Sequence, residues 1–278
     1  MVQFKQCLST VCISSLFPIL FVVPLYLVSK GQRRADINVI RKRLLVTVLC
    51  VPALSFIPTY IEQRRICADS TAFLVLIGFG HTNAVQIFHD ILQGALPVLI
   101  LFTGSILTIA LEGQVQILYR DTIESWIRDL VVSPIMEELC FRSGLVSYLH
   151  MRKWTYTQLI FVSPLFFAIS HVHHLYDNIY NRRMRVLNAV IVAVVQCTYT
   201  YAFGCFAAFL LVASGGFVAP CVAHIMCNMF GFPKFGDITY YKNSKSIILG
   251  HICGILGFIG AVSYLKSHSA QYLLHATC

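Results

Sequence analysis

The chain has 278 residues, of which 57% are hydrophobic and only 12% charged, and its formal net charge is +9; its mean hydropathy is +0.73. A soluble domain carries roughly 25% charged residues, so lipid and not water is the expected solvent for most of the chain. The basic residues fall between apolar segments, as in cytoplasmic membrane loops, which argues against a nucleic-acid partner.

The first apolar stretch, 8–28, is long for a signal core and reads as a retained span. The loop after it holds Lys30, Arg33, Arg34, Arg41, Lys42 and Arg43 against the single acid Asp36, and it marks the cytoplasmic face. Apolar stretches follow at 44–61, 72–88 and 91–111. The mixed segment 112–130, with Tyr119 and Trp126, reads as a helix lying along the membrane surface. Further apolar stretches cover 131–149, 156–173, 186–213, 215–230 and 246–265, with milder basic bias at Arg152–Lys153 and at Arg182, Arg183 and Arg185. Seven or eight of these are expected to cross the bilayer. The 11 cysteines are scattered, mostly inside apolar runs, and form no CxxC pair, so they read as small buried hydrophobes and not as a disulfide framework. There is no internal repeat and no linker, so 1–278 is read as one all-α membrane domain.

An ionisable side chain inside a bilayer costs about 2.5–3.5 kcal/mol even on the lenient insertion scale. Three clusters therefore stand out. In Ser133-Pro134-Ile135-Met136-Glu137-Glu138-Leu139-Cys140-Phe141-Arg142, Pro134 suits the first turn of a helix. Glu138 and Arg142 are four apart and share a face, which leaves Glu137 pointing elsewhere, as a general base would. In Phe167-Ala168-Ile169-Ser170-His171-Val172-His173-His174, Phe167 and His171 are again four apart. In His224-Ile225-Met226-Cys227-Asn228 the terminal pair makes a polar stripe on an apolar helix. Each cluster has a structural reading: an ion-pair network, an interfacial helix end, an interhelical hydrogen bond. Together they supply a carboxylate, two imidazoles and a carboxamide, the groups that activate water and hold an oxyanion.

The series Glu137-Glu138-x-x-x-Arg142, Phe167-x-x-x-His171 and His224-x-x-x-Asn228 resembles the three ordered motifs of the type II CAAX prenyl endopeptidases. Around them, Pro164-Leu165-Phe166-Phe167, His171-Val172-His173-His174, Gln196-Cys197-Thr198-Tyr199 and Asn228-Met229-Phe230-Gly231-Phe232-Pro233 resemble the eukaryotic branch of that family. The likeness is dense over about 130–235, and no motif position departs from the pattern. It implies about eight spans around a cavity open to cytosol and lipid, in the endoplasmic reticulum. It also implies removal of the last three residues from prenylated CAAX proteins, Ras-like small GTPases among them, with no cofactor or metal. In that scheme Glu137 and His171 hold and deprotonate a water. His224 and Asn228 donate to the oxyanion, and Glu138 with Arg142 is a supporting pair. Cys140, beside two carboxylates, is a poor nucleophile. Two other readings remain: a metalloprotease with Glu137, His171 and His224 as ligands, although no H-E-x-x-H occurs, and a transporter or non-catalytic scaffold.

Overall fold

The computed structural model describes residues 2–29, 36–66, 71–113, 122–233 and 235–269, and among these it is helical with no strand. Helices α1 (Val2–Ser14) and α2 (Leu16–Ser29) join at Ser15. They are followed by α3 (Ile37–Ile66), the short α4 (Thr71–Leu76), α5 (Ala84–Leu101) and α6 (Thr103–Glu112). Helix α7 runs continuously over 123–151. Helix α8 (Tyr156–Asn181) is interrupted by single-residue and two-residue breaks, and α9 (Val186–Ser214), α10 (Val218–Phe230) and α11 (Ser244–His268) complete the bundle.

Helix α7 is the axis of the molecule. Residues 138–149 are buried without exception, and an all-round buried helix lies at a bundle centre. It alternates α and π turns: Arg128–Val132 and Leu139–Val146 are π-helical. The first wide turn lies just before Pro134, whose ring would otherwise press on the carbonyl four residues back. Pro134 is thus inside a continuous helix and does not begin one. Hydroxyl groups tie α7 to its neighbours: Thr59 Oγ1 donates to the Gly144 carbonyl at 2.9 Å, and Ser147 Oγ to the Leu76 carbonyl at 2.7 Å. Phe17, Phe141, Tyr148, Leu159, Phe167 and Leu211 fill the space between α2, α7, α8 and α9. Outward faces are apolar too, as Leu45, Val194 and Leu256 illustrate, which suits a surface that meets lipid.

Polar contacts define the two ends. At one, Arg41 pairs with Glu124 at 2.6 Å and the Tyr26 hydroxyl donates to the His173 carbonyl at 3.2 Å. The start of α7, the end of α2, the start of α3 and the break in α8 therefore share that end. At the other, Arg152 pairs with Glu62 at 2.9 Å, and the Phe217 amide donates to the Gly78 carbonyl at 2.8 Å.

Six helices among the described residues are long and apolar enough to cross a membrane: Leu8–Ser29, Ile37–Ile66, Ala84–Leu101, Tyr156–Asn181, Val186–Ser214 and Ser244–His268. The expected count of seven or eight is not confirmed among the described residues. Helices α6 and α10 have 10 and 13 residues, and α7 is too rich in charge. The expected span at 72–88 is absent. Helix α4 ends at Leu76, Gly78 turns with φ +87°, and Asn83 caps a fresh helix at Ala84. Of the expected surface helix at 112–130, residues 114–121 lie outside the described residues, and 123–130 belong to α7. Thr122 caps α7 by accepting from the Ser125 amide at 3.2 Å, so Trp126 lies on the first turn of the motif helix. Tyr119, Lys30, Arg33 and Arg34 lie outside the described residues.

Candidate active site

The motif residues come from three helices. Glu137 and Glu138 lie midway along α7, where the helix passes from α to π. His171 ends the apolar turn Ser163–Ser170, where α8 breaks. His224 and Asn228 occupy one face of α10.

Glu138 is the hub. It is fully buried, accepts from Nδ1 of His224 at 2.7 Å through Oε1, and pairs with Arg142 Nε at 3.1 Å through Oε2. The Arg142 guanidinium lies 4.3 Å from the centre of the Phe167 ring and 5.7 Å from that of Phe203. Such aromatic faces attract a desolvated cation. Gly204 makes this possible: its carbonyl lies 3.4 Å from Arg142 Nη2, and a Cβ at 204 would come within 2.8 Å of Pro164. A carboxylate only accepts, so the bond to Glu138 places a proton on His224 Nδ1 and leaves Nε2 as the atom that varies. That Nε2 lies 3.7 Å from Glu137 Oε2.

His171 is oriented in a similar way. Its Nδ1 is 3.0 Å from the Phe167 carbonyl oxygen, another acceptor-only group. Its ring meets Phe167 edge to face at 4.9 Å. Nδ1 therefore carries the proton and Nε2 keeps its lone pair. Asn228 donates through Nδ2 to the Asp129 carbonyl at 3.0 Å, and the second proton of the same amide nitrogen remains for another acceptor.

Glu137, His171, His224 and Asn228 all line one cavity of about 720 Å³, within the size range of small-ligand sites. Its remaining wall is largely aromatic, including Phe102, Tyr199, Phe203 and Phe258. The Glu138–Arg142 pair expected from the spacing is present, behind this wall. Cys140 is buried with Sγ 3.9 Å from the Phe17 carbonyl and does not line the cavity. Among the described residues, no three His, Cys, Asp or Glu side chains are grouped as metal ligands.

One intramembrane acid escaped the sequence reading. Asp90, 1% exposed within α5, accepts from or shares a proton with His81 Nδ1 at 2.9 Å. A Cβ on Gly216 would collide with its carboxylate. The aspartate was hidden because 89–90 fell in the gap between the apolar stretches 72–88 and 91–111. Phe203 and Gly204 were also missed, since neither carries a chemical signature in a long apolar helix.

Residues 120–230 match the family model of the type II CAAX prenyl endopeptidase Rce1-like proteins. The chain is similar to the CAAX prenyl protease 2 of Homo sapiens, 28% identical over 268 residues, which cover 91% of this chain and 78% of that protein. It is similar to the CAAX prenyl protease 2 of Saccharomyces cerevisiae, 26% identical over 261 residues, covering 84% and 82% respectively. It is 32% identical over 133 residues to the CAAX prenyl protease 2 of Arabidopsis thaliana, covering 48% and 41%. No solved structure matches.

Proposed function

Given that the chain belongs to the type II CAAX prenyl endopeptidases, and is a multi-pass membrane protease acting on peptide bonds, we propose that it removes the C-terminal tripeptide from prenylated CAAX proteins, Ras-like small GTPases among them, by attack of a water held between Glu137 and His171. The observation that carries this is the shared cavity: the carboxylate of Glu137 faces His224 Nε2 at 3.7 Å on a wall that also holds His171 and Asn228.

The chemistry follows from the proton positions. Glu137 takes one proton from the water, while the lone pair of His171 Nε2 accepts its other O–H bond and holds the oxygen in line. The water oxygen adds to the carbonyl carbon of the prenylcysteine, and the carbonyl oxygen becomes an alkoxide. The free N–H of Asn228 donates to that oxygen, as does Nε2 of His224 when it carries a proton. The buried Glu138 balances the resulting imidazolium through Nδ1. One such donor is worth about 3–4 kcal/mol in other proteases. The alkoxide then collapses, the C–N bond breaks, and the proton on Glu137 passes to the leaving amine. Glu138 and Arg142 never touch the substrate; they fix the orientation of His224.

The membrane frame fits this reading. The cavity reaches Asp129 and His174, toward the end that carries Arg41, Lys42 and Arg43, with Arg182, Arg183 and Arg185 following α8. The opposite end carries Arg64, Arg65, Arg152 and Lys153. Basic residues accumulate on the cytoplasmic side, which supports a catalytic face toward the cytosol; the endoplasmic reticulum membrane, and entry of the prenyl chain from the lipid, are what the family resemblance implies.

The test is product analysis. Purified protein in detergent, given a farnesylated CAAX peptide in ¹⁸O water, should release the intact tripeptide and leave one ¹⁸O in the new prenylcysteine carboxylate. Treatment with a strong chelator should leave the rate unchanged. Loss of activity on chelation, restored by a divalent ion, would favour the metalloprotease reading.

A further inference from the structure

The proposed substrate brings an anion with it. Its C-terminal carboxylate lies three residues beyond the scissile bond, and three extended residues span at most about 11 Å. That carboxylate must therefore lie within the cavity or at its rim. The wall is hostile to it: Asp129 and Glu137 both line the cavity, and no Lys or Arg is among the described lining residues. The basic groups present are imidazoles, His171, His174, His224 and His251. Two of these are used by the reaction. His174 is crowded by other imidazoles, its ring 4.0 Å from that of His173 and 5.9 Å from that of His171.

His251 stands apart from them. It is on α11, seven residues from the helix start at Ser244, about 10 Å along the axis. Ile255 and Phe258 continue the same face of the helix deeper into the bundle and also line the cavity. A lone imidazole thus heads an apolar stripe inside a membrane span, and a polar group in that position calls for a partner. Its place is built. The ring lies over Gly104 of α6, where any Cβ would collide with it, and the Phe235 ring packs against it at 5.3 Å. Gly250 and Gly254 bring α11 close to α6 and the end of α5 on either side of this point.

We propose that His251 binds the free C-terminal carboxylate of the substrate, so that the distance from His251 to the catalytic water measures the three residues to be removed. The inference rests on the CAAX cleavage proposed above. A neutral imidazole N–H suffices as donor, because the acceptor is ionised and the bond is charge-assisted. Meanwhile the Ile255–Phe258 stripe stays free of polar groups for the prenyl chain.

The experiment compares kcat/KM for one farnesylated peptide made as the C-terminal acid and as the C-terminal amide. Wild-type protein should prefer the acid by about tenfold or more, the scale of one charge-assisted hydrogen bond. His251→Phe keeps a ring between Gly104 and Phe235; it should bring the two peptides within about twofold by slowing the acid alone. His251→Gln keeps an N–H donor and should restore part of the preference. Equal cleavage of acid and amide by wild-type protein overturns the carboxylate site and leaves the proposed protease intact. So does a His251→Phe protein that slows both peptides alike, or that changes only the farnesyl-to-geranylgeranyl ratio. Wild-type protein that cleaves neither peptide overturns the proposed activity, and this site with it.

Discussion

Two imidazole–carboxylate pairs lie inside the bundle, one toward each end. Glu138 and His224 are 2.7 Å apart, and Asp90 and His81 are 2.9 Å apart. Both carboxylates are almost wholly buried. Their surroundings differ. Beyond His224 lies a second carboxylate, Glu137, on the wall of a cavity that also holds His171 and Asn228. Beyond Asp90 lies the backbone of Gly216, so close that a Cβ there has no room. Asp90 and its histidine hold the turn around Gly78 against the start of α10, where Phe217 bonds the Gly78 carbonyl. The same pair of side chains thus makes a clasp where backbone covers it, and lies beside the proposed reaction centre where space and a second carboxylate adjoin it.

The largest effect expected from this contrast is on rate. Glu137→Ala, His171→Ala and His224→Ala should each reduce cleavage by about 10²–10⁴-fold, the scale of general acid–base catalysis; the first two should keep melting temperatures near that of the wild type, while His224→Ala should also lose stability because Glu138 Oε1 loses its donor. A Glu137→Ala protein that is folded and keeps near-normal cleavage would erase the distinction between the two pairs.

Next comes the hub. Glu138→Gln leaves Arg142 as an uncompensated cation at 2% exposure; loss of one partner from a buried ion pair costs about 3–5 kcal/mol. Thermal unfolding in detergent should show that loss together with reduced activity, since the single amide oxygen of Gln must replace the two carboxylate oxygens that hold His224 and Arg142.

Asp90→Asn sharpens the comparison from the other side. It should destabilise by about 1–3 kcal/mol, the cost of a weakened buried hydrogen bond, while kcat per folded molecule stays within about threefold of wild type. A thousandfold fall in kcat would make the clasp part of the catalytic machinery.

The smallest effect concerns the surface. The hydrogen bond from Arg41 holds the Glu124 carboxyl below its usual range. A depressed carboxylate stabilises the fold above its ordinary pKa, and that contribution is lost as pH falls through the lowered value. Arg41→Ala should therefore flatten the acid side of the stability–pH profile slightly and leave neutral-pH activity alone.

The helical membrane fold and the three motif faces were legible in the sequence, because a carboxylate or imidazole inside an apolar run is costly and conspicuous. The four-residue spacings correctly paired Glu138 with Arg142 and set His224 and Asn228 on one face. Other features were hidden for physical reasons. Span boundaries drifted at 77–83, where the turn residues Gly78, Gly80, His81 and Asn83 were taken into an apolar stretch, so Asp90 fell in the gap between two expected spans. The π turns of α7 follow from local hydrogen-bond geometry around Pro134, to which hydropathy is blind. The partner of His224 Nδ1 could not be read either: adjacent glutamates differ by about 100° on a helix, and only the packing of α10 decides which one meets the ring.

The most direct test is single-turnover cleavage of a farnesylated CAAX peptide by Glu137→Gln protein, whose side chain keeps its size but cannot accept the water's proton. The account predicts a fall of about 10²-fold or more with peptide binding preserved. Turnover within a few-fold of wild type would contradict it.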